Sequence, residues 1–516
     1  VAEPGPAASA LRVSPGGETW SELGVIAAGH RLTAETGAAV LREGGNAVDA
    51  AIGAMLVSFV CEPLLTGLGA GGYMLVVGAD AEPVLLDFFV EAPGHGADHA
   101  ARAELIPISV SFGDAIQIFN IGAASVGTYG MPAGVCDAST RFGRVPLSEL
   151  VAPAARMARE GVELTAPQAY LVEILGDIAT STPEGAKLFA PHGTLLKVGD
   201  RIHQPELADA LERLGSEGVA PFYTGDIAAA IAEWVSARGG MLTPEDLAQY
   251  AVTDRPPIRA CYRDREVLTN PPPSAGGILI AYALSLLDTG DGAPDTERVV
   301  EVMERVQSER TREFLAGLDD PEFVARFLHR GGGRLGSTTH ISVLDRDGMA
   351  CSVTCSNGSC SGVVVPGTGV HLNNMLGEQD LNPLGFHRHP PGRRLPSMMA
   401  PTAVLRDGQP ELVLGSAGSN RIRSAILQTV LRVIDDGMPA PEAVEAPRVH
   451  FEDGVVYAEP GADTAGLEAA GRAIGRFRER NLFFGGVQAV ERDASGRFWG
   501  GGDPRRGGAA VVVRGR

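Results

Sequence analysis

Positive charge is scarce in this chain. Its 43 Lys and Arg residues face 63 Asp and Glu, for a formal net charge of −20. Phosphate binding needs clustered cations, so the balance argues against a nucleic-acid partner and reads as a solubilising surface. Long apolar runs are missing too. No stretch reaches the roughly 20 residues that span a bilayer, and Val1-Ala2-Glu3-Pro4-Gly5-Pro6 lacks the basic-then-apolar pattern of a leader. The chain as given is expected to be soluble, with no membrane partner, and most simply cytoplasmic; its start at Val1 rather than Met leaves a trimmed leader open. Cysteine is sparse, with six in 516 residues. Cys351, Cys355 and Cys360 fit no common zinc spacing and no paired histidine completes them, so no metal is expected. Cys351 and Cys355 share one face of an expected strand, and buried free thiols are favoured over a disulfide. No internal repeat is present. The cluster Gly67-Leu68-Gly69-Ala70-Gly71-Gly72 precedes a strand instead of joining strand to helix, which rules out a dinucleotide loop, and no cofactor is expected.

Glycine, by contrast, is abundant: 67 residues without a period, which points to turns and close backbone approaches. With 44% hydrophobic residues the chain can bury a large core, in several domains or one multilayer domain. Residues 1–25 read as a loose arm. A helical pattern over 33–42 stops at Gly44-Gly45, and Asn46 then caps a second, mostly buried helix over 47–60. Strands follow at 73–77 and 84–89. The stretch 147–250 is mainly helical, with helices near 148–160, 166–178, 205–214, 225–238 and 244–250, the last opened by Thr243-Pro244-Glu245-Asp246. Then come a strand at 265–269, a helix at 276–288, a charged helical segment at 296–330, a strand-rich segment at 339–372, strands near 402–406 and 411–415, a helix at 421–436 and a β-rich tail. Helix blocks mixed with two strand groups imply a layered α/β fold.

The stretch Arg334-Leu335-Gly336-Ser337-Thr338-Thr339-His340-Ile341-Ser342 joins a glycine-rich run to a strand. Its hydroxyl residues suit an ordinary strand start. They also suit a cut site. If the bond from Ser337 to Thr338 breaks, Thr338 carries a hydroxyl and a free α-amine with a reference pKa of about 7.7–8.0. One residue then supplies both nucleophile and base, and the same oxygen could perform the cut by attacking the carbonyl of Ser337.

The wider sequence resembles the γ-glutamyltranspeptidase family of self-cleaving N-terminal-nucleophile hydrolases. Gly44-Gly45-Asn46-Ala47-Val48-Asp49-Ala50-Ala51, Glu62-Pro63 with the glycine cluster, Pro271-Pro272-Pro273-Ser274 with Gly276-Gly277, Thr338-Thr339-His340 with Ser342-Val343, Leu372-Asn373-Asn374, Gly415-Ser416-Ala417-Gly418 and Asp503-Pro504-Arg505-Arg506 with Gly508-Ala509-Ala510 follow the family's order from about residue 25 to the end. The resemblance implies a four-layer αββα sandwich. It implies a large piece 1–337 and a small catalytic piece 338–516 that stay intertwined as a heterodimer. It also implies Thr338 as nucleophile, Ser356 at the position of an activating hydroxyl, and backbone N–H groups of Gly418 and Ser419 as the oxyanion hole, where Gly-Gly is usual.

The family's glutamate pocket is altered. Phe89 stands where an arginine would grip the substrate carboxylate, and a phenyl ring cannot replace a fork of five donors. The usual Ser-Ser pair becomes Ser397-Met398. Met375 and Glu378 stand where Gln and Asp are usual, with Asn357 offering an amide. Arg393, Arg394, Arg421 and Arg423 are candidates to replace the lost cation. Asn373 and Asn374 are expected to order loops around the site, with Asn374 also a candidate substrate contact, His340 to make a structural hydrogen bond on the nucleophile's face, and His387-Arg388-His389 to lie on an exposed loop. The expected activity is a hydrolase or acyltransferase attacking an amide or peptide-like small molecule through an acyl-Thr338 ester. Alternatives are an acylase on oxamate- or glutaryl-type amides, a hydrolase of a carbon–carbon bond next to a carbonyl, and an uncleaved pseudoenzyme scaffold.

Overall fold

The computed structural model describes residues 12–13, 19–78, 81–98, 102–111, 116–288, 292–309, 314, 318, 338–379, 381–382, 385–418 and 420–515. Two large sheets lie face to face. In the first, Thr339–Asp345 pairs antiparallel with Thr19–Ala28 on one side and Ala350–Ser356 on the other. Ala350–Ser356 continues to Gly71–Val77 and then Val84–Phe88, while Ala509–Gly515 pairs with the outer side of Thr19–Ala28. In the second sheet, Ile258–Tyr262 and Arg265–Thr269 lead into Thr402–Arg406, Gln409–Ala417, Gly486–Arg492 and Phe498–Gly502. Each sheet thus mixes strands from before and after position 338. Helices Arg31–Arg42 and Ala47–Cys61 cover the outer face of the first sheet, and Gly276–Leu287 with Arg421–Ile434 cover that of the second. The result is the expected αββα sandwich, with one apolar core on the helix side of the first sheet and another around the second sheet.

The helix Ala47–Cys61 shows how local chemistry sets the site. All its residues are buried, so it has no polar face to orient it and its ends do that work. Asn46 Oδ1 accepts from the N–H groups of Val48 and Asp49, both at 3.0 Å, and Asp49 Oδ2 accepts from Asn46 N–H at 2.9 Å. The N–H of Ala47 donates to Asp345 Oδ2 at 3.0 Å, which pins the start of this helix to the far end of the strand that begins beside Thr338.

Several expectations shift. The supposed arm contains the strand Thr19–Ala28; a bulge between Glu22 and Gly24 breaks its alternation and hid it. The expected helix 166–178 is two, Ala166–Ile174 and Gly176–Ala179, divided at Leu175. Helices Met131–Phe142 and Pro183–Phe189 and the hairpin Ile106–Ser111 with Ile116–Ile121 are additional. The charged segment is helical over Thr296–Ser308, and most of its remainder lies outside the described residues, as do Gly331–Ser337 and Ser419. All six cysteines are free, but Cys261 is exposed and Cys136 only partly covered, at variance with uniform burial.

Replacing Asn46 with Ala removes two cap bonds. We expect a loss of about 1–2 kcal/mol in unfolding free energy, read as a lower urea midpoint with unchanged slope.

Candidate active site

The antiparallel register pairs Thr339 with Cys355 and His340 with Thr354. One further step sets Thr338 opposite Ser356, and both line a narrow pocket. Phe89 reaches this pocket because Gly71 allows it. A Cβ on Gly71 would lie 2.8 Å from Val90 N and 3.0 Å from Phe88 O, so any side chain there would push the segment after Val84–Phe88 aside. Phe89 stacks on Tyr73 with ring centroids 5.3 Å apart.

The pocket also brings together Met375, Glu378 and Ser397. Its remaining walls are Gly358, Leu381, Met398, Met399 and Ile422. Glu378 Oε1 accepts from Ser359 N–H at 3.0 Å, and burial raises its carboxyl to about 7. The wall Ser397–Met399 is held by Ser274, whose hydroxyl donates to the carbonyls of Ser397 and Met399, both at 2.9 Å, and by Asn270 Nδ2 donating to Met399 O at 2.8 Å. Gly276 is required beneath it, since a Cβ would sit 2.1 Å from Met398 O. The Pro271–Gly277 motif is therefore a brace for the pocket wall, a role invisible in its sequence.

Other expected residues stand beside the pocket. Asn357 Nδ2 donates to His371 O at 3.1 Å and does not line the cavity. Asn374 Nδ2 donates to Ser359 Oγ at 2.8 Å and Asn120 O at 3.2 Å. Asn373 ties Gly69 and Gly127 carbonyls at 2.9 and 3.0 Å. His340 shares its ring nitrogens between Thr354 Oγ1 (2.7 Å) and Ser342 Oγ (2.9 Å); burial lowers its pKa to about 3, leaving a neutral ring packed between the sheets. Gly418 follows Gln409–Ala417 at φ 108°, a value that suits glycine, and a Cβ there would meet Gly485 Cα at 2.8 Å. His387, Arg388 and His389 lie on a partly exposed loop.

None of the four candidate arginines lines the pocket, and among the described residues no lining side chain is cationic. Arg394 is buried in a hub: it donates to the carbonyls of Phe89 and Ala251 and to Tyr250 Oη, and lies 3.4 Å from both Asp87 and Glu91. Arg421 donates to Phe483 O at 2.9 Å with its guanidinium over that ring, and Arg423 donates to Gln307 at 3.1 Å. The N–H of Arg393 donates to Pro390 O at 3.2 Å. Sequence reasoning missed the Arg394 hub and also the contact of Glu62, whose Oε1 accepts from Thr339 Oγ1 at 3.1 Å. Glu62 was marked in the sequence as part of the Glu62-Pro63 motif, with nothing local to indicate its contact with Thr339.

A hydroxyl residue at the head of a central strand between two stacked sheets is the layout of N-terminal-nucleophile hydrolases. The model of the gamma-glutamyltranspeptidase family matches residues 33–330 and 327–513, and the chain belongs to that family. It is 31% identical to the acylase ACY 1 proenzyme of Pseudomonas sp. strain SE83, over 95% of this chain and 94% of the relative. It is likewise 31% identical to the glutathione hydrolase proenzyme of Escherichia coli K12, over 94% and 91%. Among solved structures, cephalosporin acylase from Bacillus halodurans superposes with a TM-score of 0.80 at 26% identity, covering 100% and 99% of the two chains. The protein is an enzyme of this hydrolase and acylase group.

Arg394→Met leaves the half-buried Glu91 without its cation and the buried Asp87 with Arg255 alone, 2.7 Å away. The expected cost is about 3–5 kcal/mol of stability in urea unfolding, with KM for the surviving folded enzyme unchanged.

Proposed function

We propose that the chain is a self-processing acylase whose acyl pocket selects uncharged, largely apolar groups. Scission between Ser337 and Thr338 frees the amine and hydroxyl of Thr338. The neutral amine takes the hydroxyl proton as Oγ attacks an amide carbonyl, with Ser356 facing the nucleophile across the register. The N–H groups of Gly418 and Ser419 are assigned to the developing oxyanion, where one such donor is worth about 2.7–4 kcal/mol. The leaving amine departs with the proton, and water or a second amine then opens the acyl-Thr338 ester. The pieces 1–337 and 338–516 stay together because both contribute strands to each of the two sheets.

The observation that carries the specificity is the lining. Phe89, Met375, Leu381, Met398, Met399 and Ile422 make it apolar, and Glu378 is the single ionisable side chain among the described lining residues. A γ-glutamyl group would bring an α-carboxylate into a buried pocket with no cationic side chain among its described lining residues. Leaving one member of a charge pair unpaired costs about 2–5 kcal/mol, so the substrate group should carry no anion. The acylase names among the relatives support this side of the family.

The test is kcat/KM for a series of anilides. A neutral aliphatic or aromatic acyl group should exceed γ-glutamyl, glutaryl and oxalyl groups by at least about 30-fold, the equivalent of about 2 kcal/mol. Equal or better turnover of the γ-glutamyl anilide would show the specificity reading to be wrong.

A further inference from the structure

Glu62 follows the helix Ala47–Cys61 and is buried beneath the start of the strand Thr339–Asp345. One carboxyl oxygen accepts from Thr339 Oγ1 at 3.1 Å, one residue beyond Thr338. Gly29 leaves room for that contact, since a Cβ there would fall 2.5 Å from Glu62 Oε1 and 2.9 Å from Thr339 Oγ1. The other oxygen, Oε2, has no hydrogen-bond partner among the described residues. Arg506 shares the compartment; its Nη2 donates to Leu482 O at 3.4 Å, its Nε has no partner among the described residues, and its charge acts on Glu62. The other titratable neighbours, Cys61 and Cys355, are thiols pushed up by burial and therefore uncharged. A buried carboxyl with one oxygen unpaired is costly to retain, and it sits one residue from the nucleophile.

Resting on the reading that scission frees the Thr338 amine, we propose that Glu62 is a positioning residue that anchors the nucleophile strand through Thr339 and, as an anion, helps hold a proton on that amine. The amine must shed this proton to act as base. Burial raises Glu62 to about 7, partly offset by Thr339 and Arg506, so its charge changes where an α-amine titrates and the two groups titrate as a pair. Glu62 makes and breaks no bond in this role; the proton leaves the ammonium for solvent.

An anion near an ammonium raises the ammonium's pKa, and its removal lowers it. In the self-cleaved full chain, Glu62→Gln should therefore move the acid limb of kcat/KM down by about one pH unit, a roughly tenfold gain at about pH 6 relative to the alkaline plateau. Thr339→Val keeps the carboxylate but removes its hydroxyl donor. That raises the pKa of Glu62 and shifts the limb in the same direction, which carries the test should the Gln variant fail to fold. An unmoved limb in these variants, with scission complete and Thr338→Ala inactive, overturns the role of Glu62 alone. Turnover retained by Thr338→Ala overturns the underlying reading instead.

Discussion

Everything at the site depends on one strand being buried on all sides. Thr339–Asp345 is hydrogen-bonded along both edges, to Thr19–Ala28 and Ala350–Ser356, and covered on one face by helix Ala47–Cys61 and on the other by the second sheet. Every residue of the strand is buried. A one-residue slip would exchange the two faces, putting His340 and Ser342 into the apolar helix side that holds Ile341 and Val343, so the position of Thr338 at its head is fixed by the core. The bond from Ala47 to Asp345 and the contact of Thr339 with Glu62 secure its two ends. The precision that acyl transfer needs is thus supplied by packing and not by a mobile loop.

Electrostatics then decide what that placed hydroxyl can act on. Arginine is present near the pocket, but Arg394 is engaged by Asp87, Glu91, Tyr250 and two carbonyls. It stabilises the scaffold behind Phe89 instead of meeting a ligand. Two carboxyls are both raised to about 7 by burial: Glu62, which accepts from Thr339, and Glu378, which lines the pocket with Thr338. The lack of a cationic side chain among the described lining residues is the ground for the proposed preference for uncharged acyl groups, with Glu378 as the polar handle.

Features with local chemistry were legible in the sequence. Asn46 announces its helix because the cap and its partner Asp49 are three residues apart, and the turn-bounded apolar strand after Thr338 is equally local. The order of motifs along the chain pointed to Thr338, Ser356, Phe89, Met375, Glu378 and Ser397, which the fold gathers in one pocket. Long-range pairs were not legible. Arg394 meets Phe89 across 305 residues and Thr339 meets Glu62 across 277, and neither leaves a spacing to read. Asn357 was placed in the pocket by alignment, yet its amide ties Cys360 and the carbonyl of His371. The strand Thr19–Ala28 was read as an arm because its partners, Thr339–Asp345 and Ala509–Gly515, lie at the other end of the chain.

The central claim is that a freed Thr338 does the attacking. Intact-mass spectrometry of the mature protein, before and after incubation with a neutral acyl anilide, addresses it most directly. The account predicts two polypeptides divided just before Thr338 and a transient acyl mass on the smaller one, with Thr338→Ala remaining one unacylated chain. A fully active preparation that is continuous through Ser337 and Thr338 would contradict it.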